Sequence, residues 1–129
     1  MDSRTGLKAP FKSIDHVQLA MPRGSEGQAR AFYAGVLGMS EVAKPPELRE
    51  RGGVWFQSGN VFLHLGVADD FHPATKAHPA FGCVDYAALV ERLRSHRIAI
   101  ALDDRLIEGR AHCYIADPFG NRLELIDAA

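Results

Sequence analysis

The sequence predicts an α+β fold made of two similar modules, each with one strand, one helix and three further strands. The order of strand-like and helix-like segments repeats after about 50 residues, and an internal repeat constrains the whole fold. The two halves also match at single polar positions. His16 and His78 lie 62 residues apart, and "LHL" at His64 and "LEL" at Glu124 lie 60 residues apart.

The first half reads as a strand, a helix and a hairpin. "SIDHVQLAM" (13–21) alternates and contains β-branched residues, which favours a strand. Segment 24–39 has apolar residues at helical spacing and Ser25 as a candidate N-cap, which predicts a helix. Residues 45–53 are rich in proline and glycine and indicate a loop. "VWFQS" and "NVFLHLGV" then indicate a hairpin joined through Gly59.

The second half repeats this order. "AFGCV" favours a strand, and "DYAALVERLRSHR" favours a helix with Asp85 as its N-cap. The positions of this helix expected to face the core are Ala87, Leu89, Val90 and Leu93. "IAIALDD" favours a strand, "RLIEGR" a loop, and "AHCYIAD" and "NRLELID" a hairpin joined by "PFG".

The domain organisation follows from the repeat. The modules lie at 13–67 and 78–127, joined by a turn-rich linker at 68–77. A chain of 129 residues suits one compact domain. Residues 1–12 are polar and contain glycine and proline, so we expect a flexible leader there.

Composition and charge exclude several classes of partner. Fifteen basic and sixteen acidic side chains leave a net charge of −1, which attracts neither nucleic acid nor an anionic membrane. No apolar run approaches the roughly 18 residues of a membrane span, and the N-terminus lacks the apolar region of a signal peptide. Cys83 and Cys113 are expected to be reduced core thiols. These features predict a soluble, cytoplasmic protein.

Strand alternation places several polar side chains on one face of each predicted sheet, because successive residues point to opposite faces. The residues that share this face are His16 and Gln18, Phe62 and His64, and Arg122 and Glu124. The leucines between them occupy the opposite face, which we expect helices to cover. The polar face would then line a concave surface.

Three imidazoles and one carboxylate on that surface indicate a divalent metal site. Imidazole suits Zn, Ni, Fe and Co, and a carboxylate extends the range to Mn. Taken alone, His64 is also compatible with a core histidine, whereas a carboxylate such as Glu124 is rarely buried without a partner. His72, His96 and His112 lack the repeat symmetry. The predicted ligands are His16, His64, His78 and Glu124.

Four motifs make the chain resemble the vicinal oxygen chelate superfamily, which includes glyoxalase I, extradiol dioxygenases, fosfomycin resistance thiol transferases and bleomycin-binding proteins. They are "DHVQLA", "ARAFYAGVLGM", "HPAFGCVD" and "YIADPFGNRLELID", within residues 13–127. The resemblance implies paired βαβββ modules whose curled mixed sheets form a metal-binding cup. His16, His78 and Glu124 match the ligands of the family. His64 stands where bacterial glyoxalase I has an additional acidic ligand, which implies a fourth ligand or a residue facing the open coordination sites.

The resemblance leaves the reaction open. Histidine at position 64 leaves fewer carboxylates to act as the base that glyoxalase I uses. "YIADPFGNRLE" resembles the end of the extradiol dioxygenase signature and puts Tyr114 in the place of its catalytic tyrosine, but the upstream histidine is missing. His78, Ala80 and Phe81 reproduce "HxAF" of the fosfomycin transferases without their potassium-binding loop. Bleomycin-binding members lack metal ligands altogether.

These matches imply a metal-dependent lyase, isomerase or dioxygenase that binds a small substrate through two neighbouring oxygens. The expected cofactor is one divalent ion, Zn, Ni, Fe, Mn or Co. Tyr114 and His64 are the candidate catalytic residues, and the candidate pocket residues are Gln18, Trp55, Phe62 and Arg122. The alternative is a non-catalytic protein that sequesters an aromatic or peptide-like toxin. Family members often dimerise, sometimes with exchanged modules, so we expect a homodimer.

Overall fold

The chain folds into two four-stranded mixed sheets with few helices, which confirms the predicted α+β class. The computed structural model describes residues 8–129. The strands of the first sheet are β1 (Val17–Met21), β2 (Ser40–Val42), β3 (Val54–Ser58) and β4 (Val61–Val67). Those of the second are β5 (Ala80–Cys83), β6 (Ala101–Ile107), β7 (Arg110–Ala116) and β8 (Arg122–Asp127).

Both sheets have the same topology. The strand orders are β1-β4-β3-β2 and β5-β8-β7-β6. In each sheet the first strand pairs in parallel with the last, and the other pairs are antiparallel. The two sheets share no strand pair within residues 8–129. Of the predicted leader, residues 1–7 lie outside the described part of the chain, and residues 8–12 are exposed and belong to no helix or strand.

The first helix begins at the predicted position and then changes type. It is α-helical over Glu26–Ala29 (α1) and continues as a π-helix over Arg30–Val36. Ser25 occupies the N-cap position, but its side chain makes no capping hydrogen bond. Among residues 8–129 no helix is long and apolar enough to cross a membrane.

The second helix, α2 (Tyr86–Ser95), begins as predicted. Asp85 Oδ1 accepts a hydrogen bond from the Ala88 amide at 3.1 Å and caps the helix. Of the four residues expected to face the core, Val90 and Leu93 are buried and Leu89 is partly buried. Ala87 is exposed, so its prediction was wrong. Tyr86 takes its place because it lies three residues before Leu89, on the same helix face.

Two predicted loops contain regular structure. The segment "RLIEGR" was predicted as a loop, but β6 continues through it to Ile107. Only Glu108 and Gly109 form the turn, and both have positive φ (51° and 77°), as a two-residue hairpin turn of type I′ requires. The loop predicted at 45–53 includes a 3₁₀ helix at Pro46–Arg51.

The leucine face of each sheet is the buried face, as predicted. Leu63, Leu65, Leu123 and Leu125 are at most 2% exposed and belong to one hydrophobic core. The two cysteines are free and buried in the same core. Packing of this face leaves the polar residues of β4 and β8 on the opposite face, which positions the candidate site.

The turn between β7 and β8 holds the two modules together. Asp117 Oδ2 accepts a hydrogen bond from the Tyr33 hydroxyl of the first module at 2.7 Å. Asn121 donates through Nδ2 to the Ala20 carbonyl at 2.8 Å and accepts from the Ala74 amide at 3.0 Å. Burial, with the Asp117 carboxylate adding to it, raises the pKa of Tyr33, so the hydroxyl remains a donor. The polar residues of "DPFGN" therefore have a structural role.

Candidate functional site

The register of the sheets places the predicted residues at equivalent points of the two modules. His64 on β4 lies between Gln18 on β1 and Trp55 on β3. Glu124 on β8 lies in the same way between Ala80 on β5 and Tyr114 on β7. His16 and His78 come just before the first strand of each sheet. Each sheet therefore carries one half of the predicted ligand set.

His78 and Glu124 lie side by side on the second sheet. His78 Nε2 is 2.9 Å from Glu124 Oε1, and His78 Nδ1 donates to the Lys76 carbonyl at 2.9 Å. Glu124 is only 5% exposed, because it belongs to an inner strand of the sheet. A buried carboxylate in such a position requires partners for both of its oxygens.

The contact between His78 Nε2 and Glu124 Oε1 has the length of a hydrogen bond and also the spacing of two neighbouring metal ligands. Because Nδ1 carries the hydrogen donated to Lys76, a neutral ring presents only a lone pair at Nε2, and this lone pair faces another acceptor. A proton or a metal ion resolves that contact. Two neighbouring ligand atoms at about 2.1 Å from an octahedral ion are about 3.0 Å apart. The observed 2.9 Å matches that spacing.

His112 is the partner of the second Glu124 oxygen, and the sequence analysis missed it. Its Nε2 donates to the Arg105 carbonyl at 3.0 Å, and its Nδ1 lies 2.9 Å from Glu124 Oε2. His112 is only 3% exposed. The repeat symmetry does not single out His112. Strand alternation does, because His112 and Tyr114 lie on the same face of β7, and Tyr114 pairs with Glu124. A residue that orients a metal ligand in this way commonly tunes metal affinity.

We expect His112→Leu to weaken divalent metal binding by about 10- to 100-fold, because the carboxylate loses the imidazole contact that orients it. His112→Asn retains an N–H near the position of Nδ1 and should recover part of the affinity. The measurement is calorimetric titration of Mn²⁺ into chelator-treated protein. Equal affinities for the wild type and His112→Leu would contradict an orienting role for His112.

The first sheet carries a stack of three rings. The His64 ring lies 3.8 Å from the Trp55 ring at 2° and 4.2 Å from the His16 ring at 16°, centroid to centroid. His16 Nδ1 donates to Asp15 Oδ1 at 2.8 Å, which leaves its Nε2 as a metal-binding atom. Burial lowers the pKa of His64, and the neighbouring His16 lowers it further. His64 has no side-chain hydrogen-bond partner in the described part of the chain.

The stacking of the His16 and His64 rings limits how these two residues can bind a metal ion. An imidazole binds a metal through an in-plane lone pair at about 2.1 Å, so the ion must lie in the ring plane. The planes of His16 and His64 are only 16° from parallel with centroids 4.2 Å apart, so one ion cannot lie in both planes at that distance. In this arrangement only one of the two rings can bind a shared ion. Ligation by both requires one ring to rotate.

The four predicted ligands do not converge within one chain. Within residues 8–129 no group of three His, Cys, Asp or Glu side chains lies close enough to hold a metal ion. The sequence left open whether the cup forms within one chain or between two chains with exchanged modules. One pair of predicted ligands belongs to the first sheet and the other pair to the second, and within residues 8–129 these sheets share no strand pair. The ligand roles themselves remain predictions.

The predicted pocket and catalytic residues divide between the same two sheets. Gln18 and Trp55 line a cavity of about 260 Å³ on the first sheet. Phe62 is 39% exposed and lies outside that cavity. On the second sheet the Arg122 guanidinium lies 4.0 Å above the Tyr114 ring, a cation–π contact. The Tyr114 ring also meets His78 and His112 edge to face.

Comparison with protein families gives one match. The glyoxalase/bleomycin resistance protein/dioxygenase superfamily model matches residues 13–125, which is most of the chain. A comparison with curated proteins gives no match.

Solved structures are similar over nearly the whole chain. A glyoxalase family protein from Bacillus anthracis has 41% identity and a TM-score of 0.90, covering 94% of this chain and 98% of the other. A lactoylglutathione lyase from Agrobacterium tumefaciens has 25% identity and a TM-score of 0.68, covering 92% and 96%. The fosfomycin resistance protein FosX from Listeria monocytogenes has 15% identity and a TM-score of 0.71, covering 92% and 95%, and shows a shared fold.

Proposed function

Because the chain belongs to the glyoxalase/bleomycin resistance protein/dioxygenase superfamily, we propose that it is a metal-dependent enzyme that binds a small substrate through two neighbouring oxygens. The observation that carries this proposal is the pairing of His78 Nε2 with Glu124 Oε1 at 2.9 Å, a spacing that neighbouring metal ligands share. The lactoylglutathione lyase from Agrobacterium tumefaciens, at 25% identity, supports an enzyme of the lyase type.

The proposed ligands are His16, His78 and Glu124, with the ring of His64 stacked beside them. A divalent ion held by these residues would supply positive charge that stabilises an anion developing on the substrate oxygens. Three protein ligands leave room for two substrate oxygens. The chemistry of this donor set suits Zn, Ni, Fe, Mn or Co.

His64 and Tyr114 are the proposed acid–base groups. The lowered pKa of His64 keeps its ring neutral, so a free ring nitrogen can accept a proton from bound substrate. Tyr114 is held by Arg122 and the two histidines of the second sheet, which restricts the position of its hydroxyl. We assign proton acceptance to His64 and hydrogen bonding to the substrate to Tyr114.

A second copy of the chain completes the proposed site. One chain places His16 and His64 on one sheet and His78 and Glu124 on another, and it does not bring them together within residues 8–129. In a two-fold symmetric dimer the first sheet of one chain can face the second sheet of its partner, and symmetry then produces two equivalent sites. We therefore propose a homodimer with exchanged modules.

The proposal predicts about one divalent ion per chain in protein purified without chelators, measured by elemental analysis. Glu124→Gln should weaken metal binding at least about 100-fold, because it removes the only carboxylate ligand. His64→Leu should stay within about threefold of the wild type, since this proposal assigns the ligand role to His16 and leaves the stacked His64 ring without metal. His96→Ala, in the exposed turn after α2, is the control and should not change the affinity. A folded wild-type protein that takes up no metal would contradict the proposal. It would favour the alternative, a non-catalytic protein that sequesters a toxin.

A further inference from the structure

A cavity on the first sheet has a chemical character that the proposed metal site does not explain. Its volume is about 260 Å³, and it lies beside His64, because Trp55 lines it while stacking on the His64 ring at 3.8 Å. Lys44 and Arg51 supply two positive charges to its wall, and no carboxylate lines it. The remaining lining side chains are polar and uncharged or apolar.

Within residues 8–129 neither Lys44 nor Arg51 forms an ion pair, whereas Arg23 and Arg30 of the same module are each paired with a carboxylate. The Glu26 carboxylate accepts a hydrogen bond from the Gly53 amide at 2.8 Å through Oε2. This bond lowers the pKa of Glu26, and the positive charges of Arg30 and Lys44 lower it further. Lys44 itself donates to the Gly52 carbonyl, which holds its ammonium group at the cavity wall.

The cavity also has an apolar side. Leu48, Val67 and the Trp55 ring line it, and the Gln18 amide lies against Gly66. A water molecule occupies about 30 Å³ of liquid, so about 260 Å³ holds a compact molecule of roughly the size of a substituted benzene ring. Arginine is the side chain best suited to bind an oxyanion through two hydrogen bonds.

We infer that this cavity binds the anionic group of the substrate, a carboxylate, phosphonate or phosphate, through Arg51 and Lys44, with the apolar part of the substrate against Trp55. This inference rests on the proposed function, because the cavity belongs to the half of the site that the first sheet contributes. It specifies the substrate class as a small oxyanion with an apolar body.

The test uses phenylphosphonate as the probe. The protein is kept in a buffer that contains a metal chelator, so that no metal contributes to binding. Trp55 is the only tryptophan of the chain, so its indole N–H signal in an NMR titration reports on this cavity alone. We expect a saturable shift of that signal, and Arg51→Gln should weaken the affinity about fivefold or more. Arg49→Gln, a matched charge change on the same 3₁₀ helix but outside the cavity, should change it less than about twofold.

The outcomes separate this inference from the proposed function. No shift of the Trp55 signal, equal weakening by Arg49→Gln and Arg51→Gln, or equally tight binding of neutral benzyl alcohol would overturn the anion site. Metal affinity is measured separately on Arg51→Gln and should equal that of the wild type. Failure of metal binding with retained, Arg51-dependent binding of phenylphosphonate would refute the metal enzyme and leave the anion site standing.

Discussion

A chain carrying His16→Ala and a chain carrying His78→Ala are expected to recover about one metal ion per dimer when they assemble together, although neither binds metal alone. With exchanged modules, each metal site combines the first module of one chain with the second module of its partner. One site of the mixed dimer then contains both substitutions, and the other site contains neither. The intact cup then binds at wild-type affinity. The mixed dimer is isolated with two different affinity tags, and its metal content is measured by elemental analysis.

The reciprocal mixture provides the control. A wild-type chain paired with a chain carrying both His16→Ala and His78→Ala has one defect in each cup if modules are exchanged, so it should bind no metal. If each chain instead builds its own site, this second mixture keeps one ion and the first mixture has none. The two arrangements therefore predict opposite results, and a monomeric protein with full metal content would exclude exchange outright.

Asp117→Ala is expected to destabilise the fold by at least about 3 kcal/mol, because each buried donor left without a partner costs about 1–3 kcal/mol. The carboxylate accepts hydrogen bonds from the Tyr33 hydroxyl, from two backbone amides of its own turn and from the Asn121 side chain. It is only 5% exposed, so water cannot replace these bonds. Urea unfolding in chelator, at one fixed protomer concentration, measures the loss.

Two further variants make this prediction specific. Tyr33→Phe removes only the hydroxyl bonded at 2.7 Å to Asp117 and keeps the ring in the core, so we expect a loss of about 1.5–3 kcal/mol, typical of a hydrogen bond to a charged group. Asp104→Ala changes an exposed carboxylate on β6 and should stay within about 0.5 kcal/mol of the wild type. An Asp117→Ala loss no larger than that of Asp104→Ala would show that the turn does not hold the modules together.

The sequence predicted the repeat and the faces of the strands correctly because both are local properties. Alternation along a strand assigns each residue to one of two faces, and burial of a leucine face leaves its polar neighbours on the other. His64 and Glu124 therefore reached equivalent places in the two sheets, as their "LHL" and "LEL" contexts indicate. The cap at Asp85 is local in the same sense, since it depends on one side chain and an amide three residues away.

The role of the motif "DPFGN" could not be predicted from local sequence patterns. Its Asp117 and Asn121 matched a family pattern in the sequence, but the partners that explain them, Tyr33 and Ala20, are distant along the chain. His112 is a similar case. Strand alternation places it on the same face of β7 as Tyr114, but only the pairing of β7 with β8 brings it to Glu124.

By itself, the sequence determined the α+β class, the two modules and the polar face on which His16, His64, His78 and Glu124 lie. Only the tertiary structure decided that these residues separate into two pairs, that His64 stacks between two rings and that Lys44 and Arg51 meet at one cavity. Periodicity specifies the face of a strand that a residue occupies. It carries no information on which sheet lies opposite that face, because the packing of whole modules depends on contacts between distant parts of the chain.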